Sequence, residues 1–562
     1  MGLREFCSRN CTWATALIRL APLPALLWAL SVVLHASTDQ VQHQETETDN
    51  TCVRCHAKIA ASYSRTAMCR ASGPASQDPI TGTFLHKQSG VSYRVYQADG
   101  KLWLEYSRAA DPRLHGKREL LYYIGSGKLK GRTYLFETEG FLFESPINWY
   151  AQKHLWDMAP NYAATREAPL NLPAFPECLN CHTSGMQPPV TGTANEYPEP
   201  PFVHGGITCE RCHGSASQHV ASGAPMLKLA SLSASRRDSI CMQCHLEGDM
   251  TVERPQKHAY EFSPGNDLSD YVRYFVLTDK QGTRAVSQFE ALAQSGCKRA
   301  SAEKMTCTSC HDPHYSPDAS TRVDYYRTKC LGCHGVAFGE KHHAENRDCV
   351  NCHMPVLSTR DISHTEATDH RILKQPEAVI PNRSSETAKL MPFPVTAATQ
   401  NDIRDLALAY ETLVERGDQG ATAEAQKLLI AAGKQGANDA SVLTALGYLA
   451  QQQGREELAR EYYENALRAD PYNEEAATNL GVAEAKEGHL QRAVGLWQNV
   501  FRHAPWRGNV GVDIALGYCA AGRYDDAAEY VKRVLEFNPD FTIGRSLRNQ
   551  LSENPPRCSL KP

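Results

Sequence analysis

The sequence predicts a mainly α protein in two parts. A cysteine- and histidine-rich region of short helices and long loops, carrying a β-hairpin insertion, is followed by an α-solenoid of helix hairpins. Three observations carry this. The pentapeptide Cys-x-x-Cys-His occurs seven times between residues 52 and 353. Residues of about 80–150 alternate aromatic and β-branched side chains with polar ones. Beyond residue 400, Pro, Gly and Ala recur every 34 residues. At 562 residues the chain is long enough for several cores. Its 59 Lys and Arg against 63 Asp and Glu leave a formal net charge of -4. With no basic stripe, the charge pattern excludes a nucleic-acid footprint.

The N-terminus sets the expected compartment. Arg4 and Arg9 precede a mostly apolar run, "LAPLPALLWALSVVL", which ends at "HAS" and passes into a polar stretch. A basic start, a short apolar run and a small residue at Ala36 predict a signal peptide over 1–36. The run is shorter than the roughly 20 residues of a spanning helix, and Pro22 and Pro24 interrupt it. Membrane association is therefore expected only if this segment stays uncleaved as an anchor. The mature protein is expected to be periplasmic or otherwise extracytoplasmic.

Fourteen of the twenty cysteines fall in the repeated pentapeptide. Disulfides explain it poorly, because a Cys-x-x-Cys bridge closes a tiny loop and leaves the following histidine without a purpose. Zinc is a second explanation, since paired cysteines two residues apart are common ligands. Seven pairs is an odd number, however, and a histidine fixed after every pair exceeds what four-coordinate sites need. Covalent c-type haem uses all five positions: two thiols attach the porphyrin edge, and the next imidazole meets the iron axially. Seven haems are expected, on Cys52, Cys55 and His56; Cys178, Cys181 and His182; Cys209, Cys212 and His213; Cys241, Cys244 and His245; Cys307, Cys310 and His311; Cys330, Cys333 and His334; and Cys349, Cys352 and His353.

Eleven further histidines between 51 and 375 supply candidates for the other axial position. His204, His219, His314, His343, His364 and His370 cluster near the motifs and are the candidate distal ligands, with one of the neighbours His342 and His343 expected to serve. His314 lies too close to His311 to cross the same ring, so it would serve an adjacent haem. His86, His115, His154 and His258 lie further away, where hydrogen bonding is the commoner role. Met68 is either an axial thioether or a packing residue. Cys69 and Cys297 are left over in this region, to pair, ligate or be buried.

The stretch between the first and second motifs reads as antiparallel hairpins broken by "ADG", "GSG" and "TEG". "GSGKLKG" lacks the Gly-Lys-Ser/Thr end of a phosphate loop and reads as a turn. The cytochrome-like region is bounded at 50–374, and a proline-bearing linker is expected over 375–400. Beyond it, Pro471, Pro505 and Pro539 are 34 residues apart, as are Gly454, Gly488 and Gly522, and Ala459, Ala493 and Ala527. An earlier copy keeps Gly420 and Ala425 but has Ala437 in place of the proline. This period is that of the tetratricopeptide repeat, a pair of antiparallel helices with small residues at their crossing. Four hairpins and a closing helix are expected over 402–552. Such a solenoid presents a groove for a partner, or acts as a spacer or dimerisation element.

On "CERCHGSASQH", on "MTCTSCHDPH", on "DCVNCHMP" followed by "DISHTEATDHRI", and on the repeats, the chain resembles the cytochrome c-552/c-554 type of multihaem cytochrome joined to a tetratricopeptide repeat tail. Together these stretches touch most of residues 50–541. The resemblance implies a periplasmic or surface electron carrier with mostly bis-histidine haems, and puts His219, His314, His364 and His370 first among distal ligands. The family stretch after Cys-His-Gly commonly reads Pro-Gly; Ser215 and Ala216 stand here instead, so loop geometry is not carried over, although His219 keeps its place.

The leading reading is an electron-transfer chain of seven haems, with the repeat domain docking a redox partner that presents a basic patch. The runner-up is a reductase or oxidase of a small nitrogen or sulfur compound at one haem with an open axial position. Some relatives work this way, although the Cys-x-x-Cys-Lys motif of the lysine-ligated nitrite reductases is absent from this sequence. A scaffold with merely structural haems is the third class, and seven redox centres exceed any structural need.

Overall fold

The structure is a computed structural model that describes residues 47–558 apart from 128–129, 161, 279–281, 302–303, 343–346, 376–388, 396–398, 400 and 437. The expected signal peptide at 1–36, the candidate ligand His343, Ala437 and much of the expected linker lie outside the described residues.

Between the first two motifs the chain forms β1 (Ser72–Pro74), β2 (Gly82–His86), β3 (Val91–Ala98), β4 (Lys101–Arg108), β5 (Asp111–Leu120), β6 (Tyr122–Ile124), β7 (Gly131–Thr138), β8 (Phe141–Tyr150), β9 (Leu155–Met158) and β10 (Leu172–Pro173). One antiparallel sheet runs β2-β3-β4-β5 and a second runs β1-β6-β7-β8-β10, with β9 also on β8. Period-two patterning fixes the faces. β3 buries Val91, Tyr93 and Val95 while Ser92 and Arg94 face outward, and β4 answers with Leu102, Leu104 and Tyr106. The tight turns follow the same logic. Asp99 and Gly100 have φ of 52° and 75°, and Glu139 and Gly140 have φ of 54° and 84°, so both two-residue loops take left-handed conformations that match the strand twist. The "GSG" segment joins β6 to β7, as a turn.

The fold is mixed rather than mainly α, with 45% helix and 19% strand. The excess of strand comes from small sheets laid between and after the motifs. Thr183–Met186 pairs with Phe202–Gly205, and Val356–Ser358 with Glu366–Thr368. Met250–Glu253, Val272–Leu277 and Leu390–Phe393 form a third sheet. Its last strand lies inside the stretch expected as linker, where the apolar "LMPF" has a buried edge to pair with.

The C-terminal part is a stacked series of helix pairs. Second helices begin at Thr422, Glu456, Leu490 and Tyr524, and first helices at Ala440, Glu474 and Gly508, each 34 residues from the last; a closing helix, Thr542–Leu551, keeps the interval. The first helix of the first pair, Asp402–Glu415, starts out of this register. Ala425, Ala459, Ala493 and Ala527 are fully buried at the crossings, where a larger side chain has no space. Gly481 is held to glycine for the same reason, since a Cβ there would overlap the Trp497 ring.

Both ends of the solenoid dock on the N-terminal part. At one end Phe537 enters the β-sheet core between Phe141 and Phe143. Beside it Asp540, 2% exposed, accepts hydrogen bonds from Arg108 at 3.0 and 2.5 Å, from the Ala168 amide at 2.9 Å and from Arg545 at 2.6 Å. At the other end Asp405 is fully buried between Arg254, 2.5 Å away, and Arg404, 2.7 Å away. Met250, Val252 and Phe275 share a core there with Ala407, Tyr410 and Leu413. A disulfide, Cys519–Cys558, with Cα atoms 6.1 Å apart, ties the tail to helix Gly508–Ala520. Among the described residues no helix is long and apolar enough to cross a membrane.

Candidate haem-attachment sites

The pentapeptide is a helix-terminating device in this structure. Helices Pro176–His182, Glu210–His213, Ala234–His245, Arg322–His334 and Cys349–His353 each end on a motif histidine. Helix Glu47–Tyr63 kinks at His56. The fifth motif forms a single 3₁₀ turn, Cys307–Ser309, just before Cys310 and His311. The spacing explains the local fold. Positions i, i+3 and i+4 share one face of a helix, so two thiols and an imidazole project together from the last turn. Gly214 and Gly335, with φ of 75° and 78°, then let the chain leave sharply after the third and sixth motifs.

Three motif histidines face a second imidazole. Ring centroids lie 5.8 Å apart for His213 and His314, 6.1 Å for His311 and His370, and 6.1 Å for His342 and His353, with interplanar angles of 17°, 32° and 26°. Two axial bonds of about 2 Å each, plus the span from ring nitrogen to ring centre, give about 6 Å between centroids. These three pairs therefore have the separation that one six-coordinate iron requires. Each joins a motif to a histidine from elsewhere in the chain, and His314 is thus set against the third motif rather than its own.

Hydrogen bonds fix the tautomers in the sense that ligation needs. Nδ1 of His353 lies 2.7 Å from the Leu373 carbonyl, that of His370 2.9 Å from Thr368, and that of His219 2.9 Å from Ala224. His245 Nδ1 meets the Gln288 side-chain oxygen at 3.2 Å, and His314 Nδ1 meets Asp312 at 3.2 Å. An Nδ1–H held by an acceptor presents Nε2 as the free lone pair. Burial holds His182, His213, His245, His311 and His370 below the usual imidazole range, which keeps them neutral; repulsion from His314 and His56 adds to this at His213.

The remaining candidates divide. His204 lies half-buried on strand Phe202–Gly205, opposite Ser184. His364 departs from the axial role expected of it: at φ 59° it directs Nε2 to Asp157, 2.6 Å away, with its ring edge against Tyr150. His343, the member of its pair expected to ligate, lies outside the described residues; its neighbour His342 meets the motif histidine His353. His86, 6% exposed, has both nitrogens engaged, by Ser89 at 2.8 Å and the Ala163 carbonyl at 3.1 Å. His115 bonds the Pro112 carbonyl and His258 bonds Glu253. His154 sits in the turn before β9 with its ring against Trp149.

The motifs are neighbours in space as well as in sequence. The thiol of Cys181 bonds Cys244, that of Cys241 bonds Cys307, and that of Cys330 bonds Cys349. These contacts and burial raise the thiols of Cys181, Cys241 and Cys330 above the usual range, with Cys330 at about 11. Tyr63, at the end of the first motif's helix, donates to the Ile207 carbonyl at 2.6 Å, just before the third motif. Ser72 donates to the His182 carbonyl at 2.7 Å, so β1 is fastened to the end of the second motif. Among the described residues no three His, Cys, Asp or Glu side chains converge as a metal site, and the zinc explanation gains no geometry. A haem iron needs only two protein ligands, and an imidazole pair would supply them.

Comparisons with known proteins agree with this chemistry. Residues 148–214 match the family described as cytochrome c554 and c-prime, 300–338 the doubled CXXCH motif, and 440–473 the tetratricopeptide repeat. The chain is thus a multihaem c-type cytochrome domain with a C-terminal tetratricopeptide repeat domain. A curated relative, the multiheme cytochrome MtrA of Shewanella baltica (strain OS185), is 28% identical over 152 residues, covering 24% of this chain and 44% of that protein. The chain therefore spans under half the length of that relative. Solved structures resembling it include a crystal structure of MamA protein, 20% identical over 24% of this chain and 73% of that one with a TM-score of 0.22. The Cut9–Hcn1 hetero-tetramer of the APC/C is 21% identical over 26% of this chain and 30% of that one, with a TM-score of 0.24.

Proposed function

We propose that the chain is an electron carrier holding seven covalent c-type haems, one on each Cys-x-x-Cys-His motif, outside the cytoplasm. The observation that supports this best is the set of three imidazole pairs, His213–His314, His311–His370 and His342–His353, at the separation of one iron. Each bound haem supplies a reversible one-electron couple. The protein's own part is to set imidazoles in pairs and to tie Nδ1 of His314, His353 and His370 to fixed acceptors, so that a bound iron would meet preset ligands and resist exchange on electron transfer. The contacts between Arg211, Asn180 and Gln243 keep the second, third and fourth attachment points adjacent. A disulfide in the repeat domain is in keeping with an oxidising compartment, where c-type cytochromes are generally found.

The solenoid ends are occupied by contacts within the chain, which leaves its inner face for a redox partner. First helices of the repeats bring Glu411, Glu415 and Glu475 together beside Tyr448, and burial with mutual repulsion holds Glu411 and Glu475 above the usual carboxyl range. A partner offering a basic patch suits that face.

The test is a pyridine haemochrome count with low-temperature EPR of the oxidised protein. Seven haems with only low-spin signals are expected. A high-spin ferric signal that shifts on adding nitrite, hydroxylamine or cyanide would favour a reductase or oxidase with one open iron; a count near zero would sink both.

A further inference from the structure

The second, third and fourth motifs meet through the same position of their pentapeptides. Asn180, Arg211 and Gln243 are each the residue just before the second cysteine, in "CLNCH", "CERCH" and "CMQCH". Arg211 Nη2 donates to both the carbonyl and the side-chain oxygen of Asn180, each at 2.9 Å. Gln243 Nε2 donates to the Arg211 carbonyl at 3.4 Å and to Ile240 at 2.8 Å, and the Cys181 thiol donates to the Gln243 carbonyl at 3.6 Å. Arg211 also bonds the thiol of Cys244. Asn180 and Gln243 are buried, and two polar atoms at this junction, Arg211 Nε and Gln243 Oε1, are buried with no hydrogen-bond partner. A half-buried guanidinium, its Nε fully enclosed, is thus fixed among three attachment loops, with no carboxylate among its hydrogen-bond partners.

A fixed cation in a medium of low dielectric favours whichever redox state carries less positive charge. Gain of one electron lowers the charge of a ferric centre by one, so the guanidinium raises the reduction potential of the centres attached around it. Arginine suits the position because one guanidinium nitrogen, Nη2, reaches both Asn180 oxygens while the planar group is held in place by the surrounding loops, and it keeps its charge when partly buried.

Resting on the electron-carrier reading, we infer that Arg211 is the positioning residue of a three-motif junction that makes the second, third and fourth haems the high-potential segment of the protein. The polar residue before the second cysteine of each motif stitches the segment together, and electrons delivered at the more exposed first or sixth motif, where Cys55 and Cys333 are exposed, settle there.

The experiment is a spectroelectrochemical titration of full-length Arg211→Met, Arg211→Lys and wild-type protein, each with its haem count. In Arg211→Met, two or three haems are expected to become about tenfold harder to reduce, a shift of about 59 mV for a one-electron couple, while the rest keep their midpoints. Arg211→Lys, which keeps the charge and loses the fork, is expected to restore most of that shift. An unchanged titration curve in a fully loaded Arg211→Met protein overturns the proposal. So does a shift in Arg211→Lys as large as in Arg211→Met, because geometry alone would then be responsible. If Arg211→Met fails to load, a tenfold shift in loaded Arg211→Lys overturns it and a near-wild-type curve supports it. Wild-type protein without covalent haem would overturn the electron-carrier reading itself, and this inference with it.

Discussion

Two helices of equal length show how differently the two halves of this molecule are held. Helix Arg322–His334, which carries the sixth motif, and helix Gly508–Ala520, in the last repeat, have 13 residues each. The repeat helix buries Val510, Gly511, Val512, Ile514, Ala515, Gly517 and Cys519 against its neighbours, whereas the motif helix buries none of its residues. Ordering a helix costs roughly 1–2 kcal/mol per residue in backbone entropy, and an isolated helix of this length is marginal in water. Packing offsets that cost in the repeats. In helix Arg322–His334 the chain's own side chains do not, so the offset there falls to what its thiols and imidazole hold. Motif helices differ in this, since Ala234–His245 buries Ile240 and Met242, the latter in a core with Phe262 and Val272.

Removing an attachment point breaks this comparison most sharply. In Cys330→Ser/Cys333→Ser protein, one haem fewer is expected, and helix Arg322–His334 with its successor Val336–Lys341 is expected to become the first site of proteolysis. The circular dichroism of the repeats and their unfolding midpoint should hold. Protease resistance of 322–341 in the double variant would show that the motif helices stand without cofactor and that the contrast is wrong.

The contrast also accounts for what the sequence makes legible. A haem motif is local chemistry: five residues on one helical turn define it, so all seven stand out one by one. The repeats announce themselves through small residues such as Ala459 and Ala493, whose identity is forced by a crossing within the same hairpin. Contacts between distant segments leave no such mark. Nothing in "KHHAEN" tells that His342 meets His353; that contact comes from helix Val336–Lys341 ending just before His342. His364 follows a motif as a distal ligand would, yet a left-handed turn sends it to Asp157. The disulfide Cys519–Cys558 was open to notice, as two cysteines outside the motifs in the repeat half, but its pairing needed the tail's path. The small sheets between motifs raise the strand content because each pairs short runs separated by loops, which period-two patterning over three or four residues does not reveal.

The seam between the halves gives the next largest effect. Asp540 is the anion of a buried cluster with Arg108 from β4 and Arg545 from the closing helix. Asp540→Asn removes the anion shared by two guanidinium groups, leaving Arg545 its second carboxylate, Asp111, and Arg108 none among the described residues, and removing one partner of a buried pair costs about 3 kcal/mol. The expected outcome is a lower urea midpoint and a split of one transition into two, the solenoid end releasing before the β-sheet core that Phe537 enters. Coincident transitions by tryptophan fluorescence and circular dichroism would show that the two halves are coupled elsewhere, through Asp405 and Arg254.

The smallest effect concerns the self-supporting half alone. Asp513, on helix Gly508–Ala520, has its carboxyl pushed up from 3.8 to about 6 by burial. A folded value above the unfolded one means that the native state binds the proton more tightly, so this group's contribution falls as pH rises from about 4 through about 6 and is lost above that. Because the side chain is only partly buried, about 1–2 kcal/mol is the expected amplitude. Urea midpoints of wild-type and Asp513→Asn protein, taken at pH 4.5 and 7.5, measure it by difference. The wild-type protein should lose more stability across that interval than the variant, with the haem count equal in both. Equal losses would mean that Asp513 is solvated in the folded repeats, and that even the tightest-packed part of the solenoid admits water to a charged side chain on a helix whose other buried residues are nearly all apolar.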